Sequence, residues 1–153
     1  MNYTLQSRRD GFSLIELVIA VAILGVISSL GMSWYEGYTL EAANARAINE
    51  IRAIDLLIRD YRLAKRHNPG SLADVGIDYQ DPWGNDYQYT DIESGGPGTK
   101  TRKDKNLTPI NTDYDLYSKG PDGESIWPLT AKDSHDDIVR ANNGRYIGIA
   151  EGY

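Results

Sequence analysis

GFSLIELVIAVAILGVISSLGMSW, residues Gly11 to Trp34, is the stretch on which the fold turns. From Leu17 to Leu30 it carries no charge, and its length is close to the roughly 20 residues that cross a bilayer as a helix. Glu16 alone breaks the apolar character. A carboxylate at the centre of a span costs about 2.5–3.5 kcal/mol on insertion scales, so Glu16 is expected to have a partner and a purpose. Arg8 and Arg9 precede the span, which predicts that the short amino-terminal segment stays in the cytoplasm and the remainder lies outside. Gly25 and Gly31, with Ser28, Ser29 and Ser33, permit close helix approach. Trp34, Tyr35 and Tyr38 follow, where an interfacial aromatic belt is expected. A secretory signal is the alternative, cut behind the apolar run near Ser28-Ser29, but it leaves Glu16 without a role.

Working outward, no proline occurs before Pro69, so one helix is expected from Phe12 to about Arg66. Beyond the span its pattern turns amphipathic. Leu40, Ala43, Ala47, Ile51, Ile54, Ile58 and Tyr61 recur at spacings of three and four and form one apolar stripe. Glu41, Arg46, Glu50, Arg52, Asp55, Arg59 and Arg62 are assigned to the other faces. Arg46 with Glu50, and Asp55 with Arg59, are opposite charges one turn apart. Asn68-Pro69-Gly70 ends the helix, and Ser71 is a possible N-cap for a short turn over Leu72-Ala73-Asp74. Strands are predicted at Asp86 to Ile92, at Tyr114 to Lys119 and at Arg145 to Ile149, with Ser94 to Leu107 a mobile loop. The expected class is α+β: a long helix, half for the membrane and half amphipathic, packed on a small antiparallel sheet with a long C-terminal loop.

Composition removes several functions. With 153 residues and a net charge of −6, the chain has room for one modest domain and lacks the basic surface that phosphate binding needs, so no nucleic acid is expected. Cysteine is absent, which excludes disulfides and thiolate chemistry. His67 and His135 have no nucleophile motif beside them, Gly95-Gly96-Pro97-Gly98 lacks the strand-to-helix context of a phosphate loop, and no enzyme is expected. Tyr is abundant, 11 residues against one Phe, which suits a half-wet surface that packs on neighbours.

Gly11-Phe12-Ser13-Leu14-Ile15-Glu16-Leu17 resembles the processing motif of type IV pilins and type II secretion pseudopilins. The resemblance implies that a prepilin peptidase cuts after Gly11 and methylates the new terminus, Phe12. It also implies that the family's glutamate falls on Glu16, which pairs with the Phe12 amine of a neighbouring subunit and sets the assembly register. Asp81-Pro82-Trp83-Gly84-Asn85-Asp86-Tyr87-Gln88-Tyr89 and Tyr114-Asp115-Leu116-Tyr117-Ser118-Lys119-Gly120-Pro121-Asp122-Gly123 look like the major pseudopilin, the G subunit, of type II secretion. On this resemblance residues 1–11 are a leader, 12–34 the membrane and filament-core helix, 35–68 its amphipathic continuation and 69–153 a globular head. The implied protein is a single-pass inner-membrane subunit with a cytoplasmic amino terminus and a periplasmic head. It would assemble into a homo-oligomeric periplasmic filament that drives protein export, with an inner-membrane platform and minor pseudopilins as partners. The chain departs from the family pattern in lacking a proline late in the span, in a shortened loop before Asp81, and in long stretches at Gly95 to Asn106 and beyond Gly123. A surface-fibre pilin is the nearer alternative, and a monomeric membrane-anchored binding module the more distant one.

Ser118, Asp122, Asp136 and Asp137 supply oxygen atoms that a folded-back loop would gather, with Gly120 and Gly123 allowing the chain to bend. Calcium takes six to eight such oxygens, although an acidic loop of this kind is otherwise simply solvated, and the spacing is not that of an EF-hand. The resemblance implies a structural Ca2+ here, held by Asp122 and the Asp136-Asp137 pair, with Ser118 and the carbonyls of Leu116 or Tyr117 completing the shell. Asp133 and Glu124 are weaker candidates.

Overall fold

The computed structural model describes residues 11–96 and 98–153, with the side chains of Leu30, Gly31 and Ser33 excepted. Arg8 and Arg9, and with them the expected leader, lie outside the described residues. A single helix α1 runs Leu14–Lys65, close to the bounds predicted from the absence of proline. Arg66 follows it in the left-handed region at φ 66°, and its amide closes onto the Arg62 carbonyl at 2.8 Å. Four strands come after: β1 (Gln88–Asp91), β2 (Tyr114–Ser118), β3 (Ile138–Ala141) and β4 (Tyr146–Ile149). They form one sheet in the order β1-β2-β3-β4, every neighbouring pair antiparallel. The class is α+β, as the pattern predicts.

The chain divides into two compact units, one ending at Thr39 and one running Leu40–Tyr153, with α1 contributing to each. In the first unit the helix is long and apolar enough to cross a membrane. Its side chains are uncovered within the chain: Leu17, Ile23 and Val26 are each more than half exposed.

In the second unit the apolar stripe does what its spacing predicts. Ala47, Ile51, Ile54 and Ile58 have no exposed surface and pack with Ile77, Tyr87, Tyr114, Leu116 and Ile138. Each buried isoleucine contributes about 1.5–3 kcal/mol through area removed from water. The stripe frays at one end, where Leu40 stays exposed. A second cluster, Ile110, Leu129, Val139, Ala141 and Ala150, joins the sheet to the loops that precede β2 and β3. The alternating residues of β3 serve both clusters, Ile138 the first and Val139 and Ala141 the second.

Three expectations need correction. β3 is a strand that the sequence reading omitted; it is buried along its whole length and shows no polar alternation. Asp55, assigned to a solvent face, is buried and faces the sheet. Ser94 to Leu107 is anchored in its second half: Thr101 and Arg102 are buried, and the Lys103 amide and carbonyl bond to the Trp127 carbonyl and the Leu129 amide, both at 2.9 Å. The short turn after Pro69 is a 3-10 helix, Leu72–Val75, with Ser71 at its N-cap position, and the Asp74 carboxylate accepts from the Ser71 amide at 3.0 Å.

Candidate functional site

Two regions carry the residues singled out by the sequence. At the start of α1, Gly11 and Phe12 are exposed, Phe12 at 90%, ahead of the first helical turn. Ser13 stands immediately before the helix and Glu16 three residues on. The Glu16 carboxylate accepts from the Ser13 amide at 2.8 Å and from the Ser13 hydroxyl at 2.9 Å. The Glu16 amide in turn reaches the Ser13 Oγ at 3.3 Å. This reciprocal arrangement is a capping box, and it satisfies donors that the first helical turn leaves without partners. The signal, Ser-x-x-Glu directly before an apolar run, is present in the sequence but was read only for the glutamate. Both members lie after Gly11, so cleavage there leaves the cap intact.

The second region is the corner where β2 ends. Asp81, buried, accepts the Trp83 amide at 3.0 Å and the Asn85 amide at 2.8 Å through Oδ1, which closes the Asp81-Pro82-Trp83-Gly84-Asn85 turn. Gly84 sits at φ +88°, the left-handed conformation such a turn demands. The other Asp81 oxygen accepts from the Ser118 hydroxyl at 2.5 Å. Ser118 Oγ also accepts from the Gly120 amide at 3.1 Å, and Asn85 Nδ2 donates to the Gly120 carbonyl at 3.1 Å. The two stretches that resemble the pseudopilin are therefore one interlocked corner.

The four residues expected to hold calcium are not brought into one shell. Ser118 is engaged with Asp81. Asp122 is exposed, its carboxylate accepting from the Glu124 amide at 2.8 Å. Asp136 accepts the Asp122 amide at 3.2 Å. Asp137 is fully buried: its Oδ2 takes the Arg102 guanidinium and, at 2.7 Å, the Ser125 hydroxyl, while its Oδ1 has no hydrogen-bond partner. Burial pushes the Asp137 carboxyl up to about 6 against the opposing pull of Arg102, so it is ionised at neutral pH. Among the described residues no three His, Cys, Asp or Glu side chains converge to hold a metal. The Arg102 guanidinium is an unfavourable neighbour for a divalent cation at Asp137 Oδ2, while the buried Asp137 Oδ1 is left without a hydrogen-bond partner, an oxygen of the kind calcium takes. Arg102, unremarked in the sequence, is the functional surprise of this region. Its only sequence signal is a basic residue beside Thr101 inside a stretch otherwise read as mobile.

The amino-terminal region, residues 6–32, matches the family described as the prokaryotic N-terminal methylation motif. Over longer spans the chain is 27% identical to the type II secretion system core protein G of Escherichia coli, across 76% of this chain and 85% of that protein. It is 26% identical to the protein of the same name from Dickeya chrysanthemi, across 92% and 91%. A fimbrial protein of Neisseria meningitidis is 26% identical across 91% of this chain and 88% of its own length. No solved structure matches the chain.

Proposed function

We propose, from the premise that the chain is a member of the pilin-like family marked by the N-terminal methylation motif, that it is the repeating subunit of a periplasmic pseudopilus in a type II secretion system. Its role is structural and it is not an enzyme. The observation that carries the reading is the amino-terminal half of α1: an uncovered apolar surface long enough for a bilayer, beginning at a capped turn that holds a single carboxylate. In the membrane that surface meets lipid, and in a filament it meets other copies of itself.

The mechanism follows from these parts. The subunit waits in the inner membrane with its head in the periplasm. A prepilin peptidase cuts after Gly11, which is exposed ahead of the helix, and methylates Phe12. The Phe12 amine then presents a positive charge beside apolar surface, and the Glu16 of an adjoining copy is the carboxylate that matches it. An unpaired charge in the filament core costs several kcal/mol, so only the register that pairs them is retained. The inner-membrane platform adds subunits at the base, and the lengthening filament acts as a piston that pushes cargo outward.

The first test is intact mass and amino-terminal analysis of the protein extracted from membranes that contain a prepilin peptidase. A chain beginning at methylated Phe12 supports the proposal; a chain beginning at Met1, or cut behind Leu30, overturns it. Glu16→Ala should be cleaved and inserted yet fail to assemble, and normal filaments from that variant would exclude the register role.

A second reading, a pilin of a surface fibre, is favoured by the match to the meningococcal fimbrial protein over nearly the whole chain. A deletion strain separates the two, by loss of secreted proteins in one case and of attachment or motility in the other.

A further inference from the structure

We infer that a stripe of arginine and leucine along the second half of α1 docks a second copy of this chain, through an acid-lined groove on that copy's head. The inference rests on the filament reading above and names the surfaces by which its heads meet. Arg52, Leu56, Arg59, Leu63 and Arg66 recur at spacings of four, three, four and three, which aligns them on one side of the helix and its end. This is not the isoleucine stripe that packs on the sheet. Leu56 is 60% exposed and Leu63 70%, so the face is uncovered within the chain. Arg145 and Ile147 extend it, lining one groove with Arg52, Leu56 and Arg59, and Ile147 belongs to β4 at the edge of the sheet. Arg59 and Arg62 pair with Asp55 and Glu93, but among the described residues Arg52, Arg66 and Arg145 form no ion pair. In a chain of net charge −6, such a concentration of free cations runs against the composition.

The occupant is identified by complementarity. Another groove of the same unit is lined by Leu40, Pro121 and Ile149 together with Asp136 and Glu151. Asp122 adjoins it, its amide donating to the Asp136 carboxylate at 3.2 Å. Carboxylates beside apolar surface are the counterpart of guanidinium groups beside bare leucines, and arginine is the cation that interfaces favour. The acid-lined groove lies level with Leu40 and Asn44 of α1, so the centres of the two patches are offset by about 25 Å along the helix at 1.5 Å per residue. Copies with parallel helices, staggered along the axis, can then bring the acidic patch of one against the basic patch of the next. The two patches are different surfaces, so the contact does not close on itself. A third copy adds as the second did, which is what an open helical filament requires and a self-complementary patch would not give.

The experiment uses the full chain, coexpressed with a prepilin peptidase and an assembly platform, and scores sheared-filament yield beside processed protein. Arg52→Glu with Arg66→Glu, and separately Glu151→Lys, should each lower filament yield roughly tenfold while cleavage after Gly11 persists. The chain carrying all three changes should recover most of that yield. Wild-type yield from either reversed chain overturns the inference, as does a combined chain that assembles no better than its parents. A wild-type chain that is processed yet makes no filament removes the filament reading and this inference with it; normal filaments from the reversed chains remove the inference alone. Thermal melts establish that each variant is folded. Should the glutamate pair fail that check, Arg52→Gln with Arg66→Gln takes its place, with a smaller loss of yield expected and an unchanged yield counting against the inference.

Discussion

Arg140 of β3 donates its Nε to the carboxylate of Asp55 on α1, with both groups buried. The pair is the centre of a network. Asp55 also accepts the Tyr114 hydroxyl at 2.6 Å and pairs with Arg59 at 2.8 Å. Arg140 extends to Asp113 at 2.7 Å and to the Tyr114 carbonyl at 3.0 Å, and its guanidinium lies 3.9 Å from the centre of the Tyr114 ring. The amphipathic helix is therefore fixed to the sheet by a charged lock set among isoleucines.

Removing one partner should cost more than the pair contributes, because the other charge is left buried. Arg140→Ala is expected to destabilise the head by about 3–5 kcal/mol. Tyr114→Phe, which deletes one donor to Asp55, should cost about 1–3 kcal/mol. Urea denaturation of the two variants, read against the wild type, checks both the size and the order.

Gly120 should tolerate no side chain. It lies at φ +66°, and a Cβ there would stand 2.4 Å from the Asp136 carbonyl oxygen, which is backbone and cannot swing aside. Gly120→Ala is expected to lower stability by more than the ~1 kcal/mol of a strained backbone alone, since the corner with Asn85 and Ser118 must also open. A thermal melt that matched the wild type would contradict this placement.

The amino-terminal cap gives a contrast with Glu16. Ser13→Ala removes the hydroxyl from the capping box and should weaken the first turn by about 1 kcal/mol. It leaves the glutamate in place, so cleavage and filament formation should persist. Scoring both variants by immunoblot of processed protein and by sheared-filament yield distinguishes a capping role from an assembly role.

Acid should act on the head in two directions. Burial pushes Asp137 up to about 6 and raises Asp115 above its ordinary 3.8. Such groups bind protons more readily when folded, so their contribution to stability grows as pH falls from about 6 towards 4. Asp113 and Asp91 behave oppositely. Burial works to raise them, but Arg140 at Asp113 and the donors Asn68 and Ser94 at Asp91 hold both below 3.8. Their contribution is present above about 4 and lost as pH falls through their depressed values. Chemical denaturation across this range should show a shallow maximum on the acid side of neutrality and a steep fall below pH 4. A monotonic decline from neutrality would contradict it.

What the sequence disclosed follows from how local each signal is. Period and proline placement determine α1, because both act within a turn or two, and Ile51, Ile54 and Ile58 are buried as their spacing requires. β1, β2 and β4 were legible from aromatic and β-branched residues between turn signals. β3 was not, because a strand covered on both faces loses alternation. Asp55 was misplaced for another reason: a charge inside an amphipathic pattern is assigned to water until its distant partner is known. The acidic corner shows the limit most plainly. Its four oxygen-bearing residues were visible as a set, while Arg102, which binds one oxygen of Asp137, comes from another loop altogether.

The capping box of Glu16 bears on how the filament comes apart. The carboxylate already accepts two hydrogen bonds from Ser13 within its own chain. The proposed pairing with a neighbour's Phe12 would then be an exchange of partners, releasing less free energy than pairing of an idle charge. Such a contact selects position without acting as glue. In the filament proposed above, such a contact would let a subunit leave the base without great cost, so that the same copies could return to the membrane.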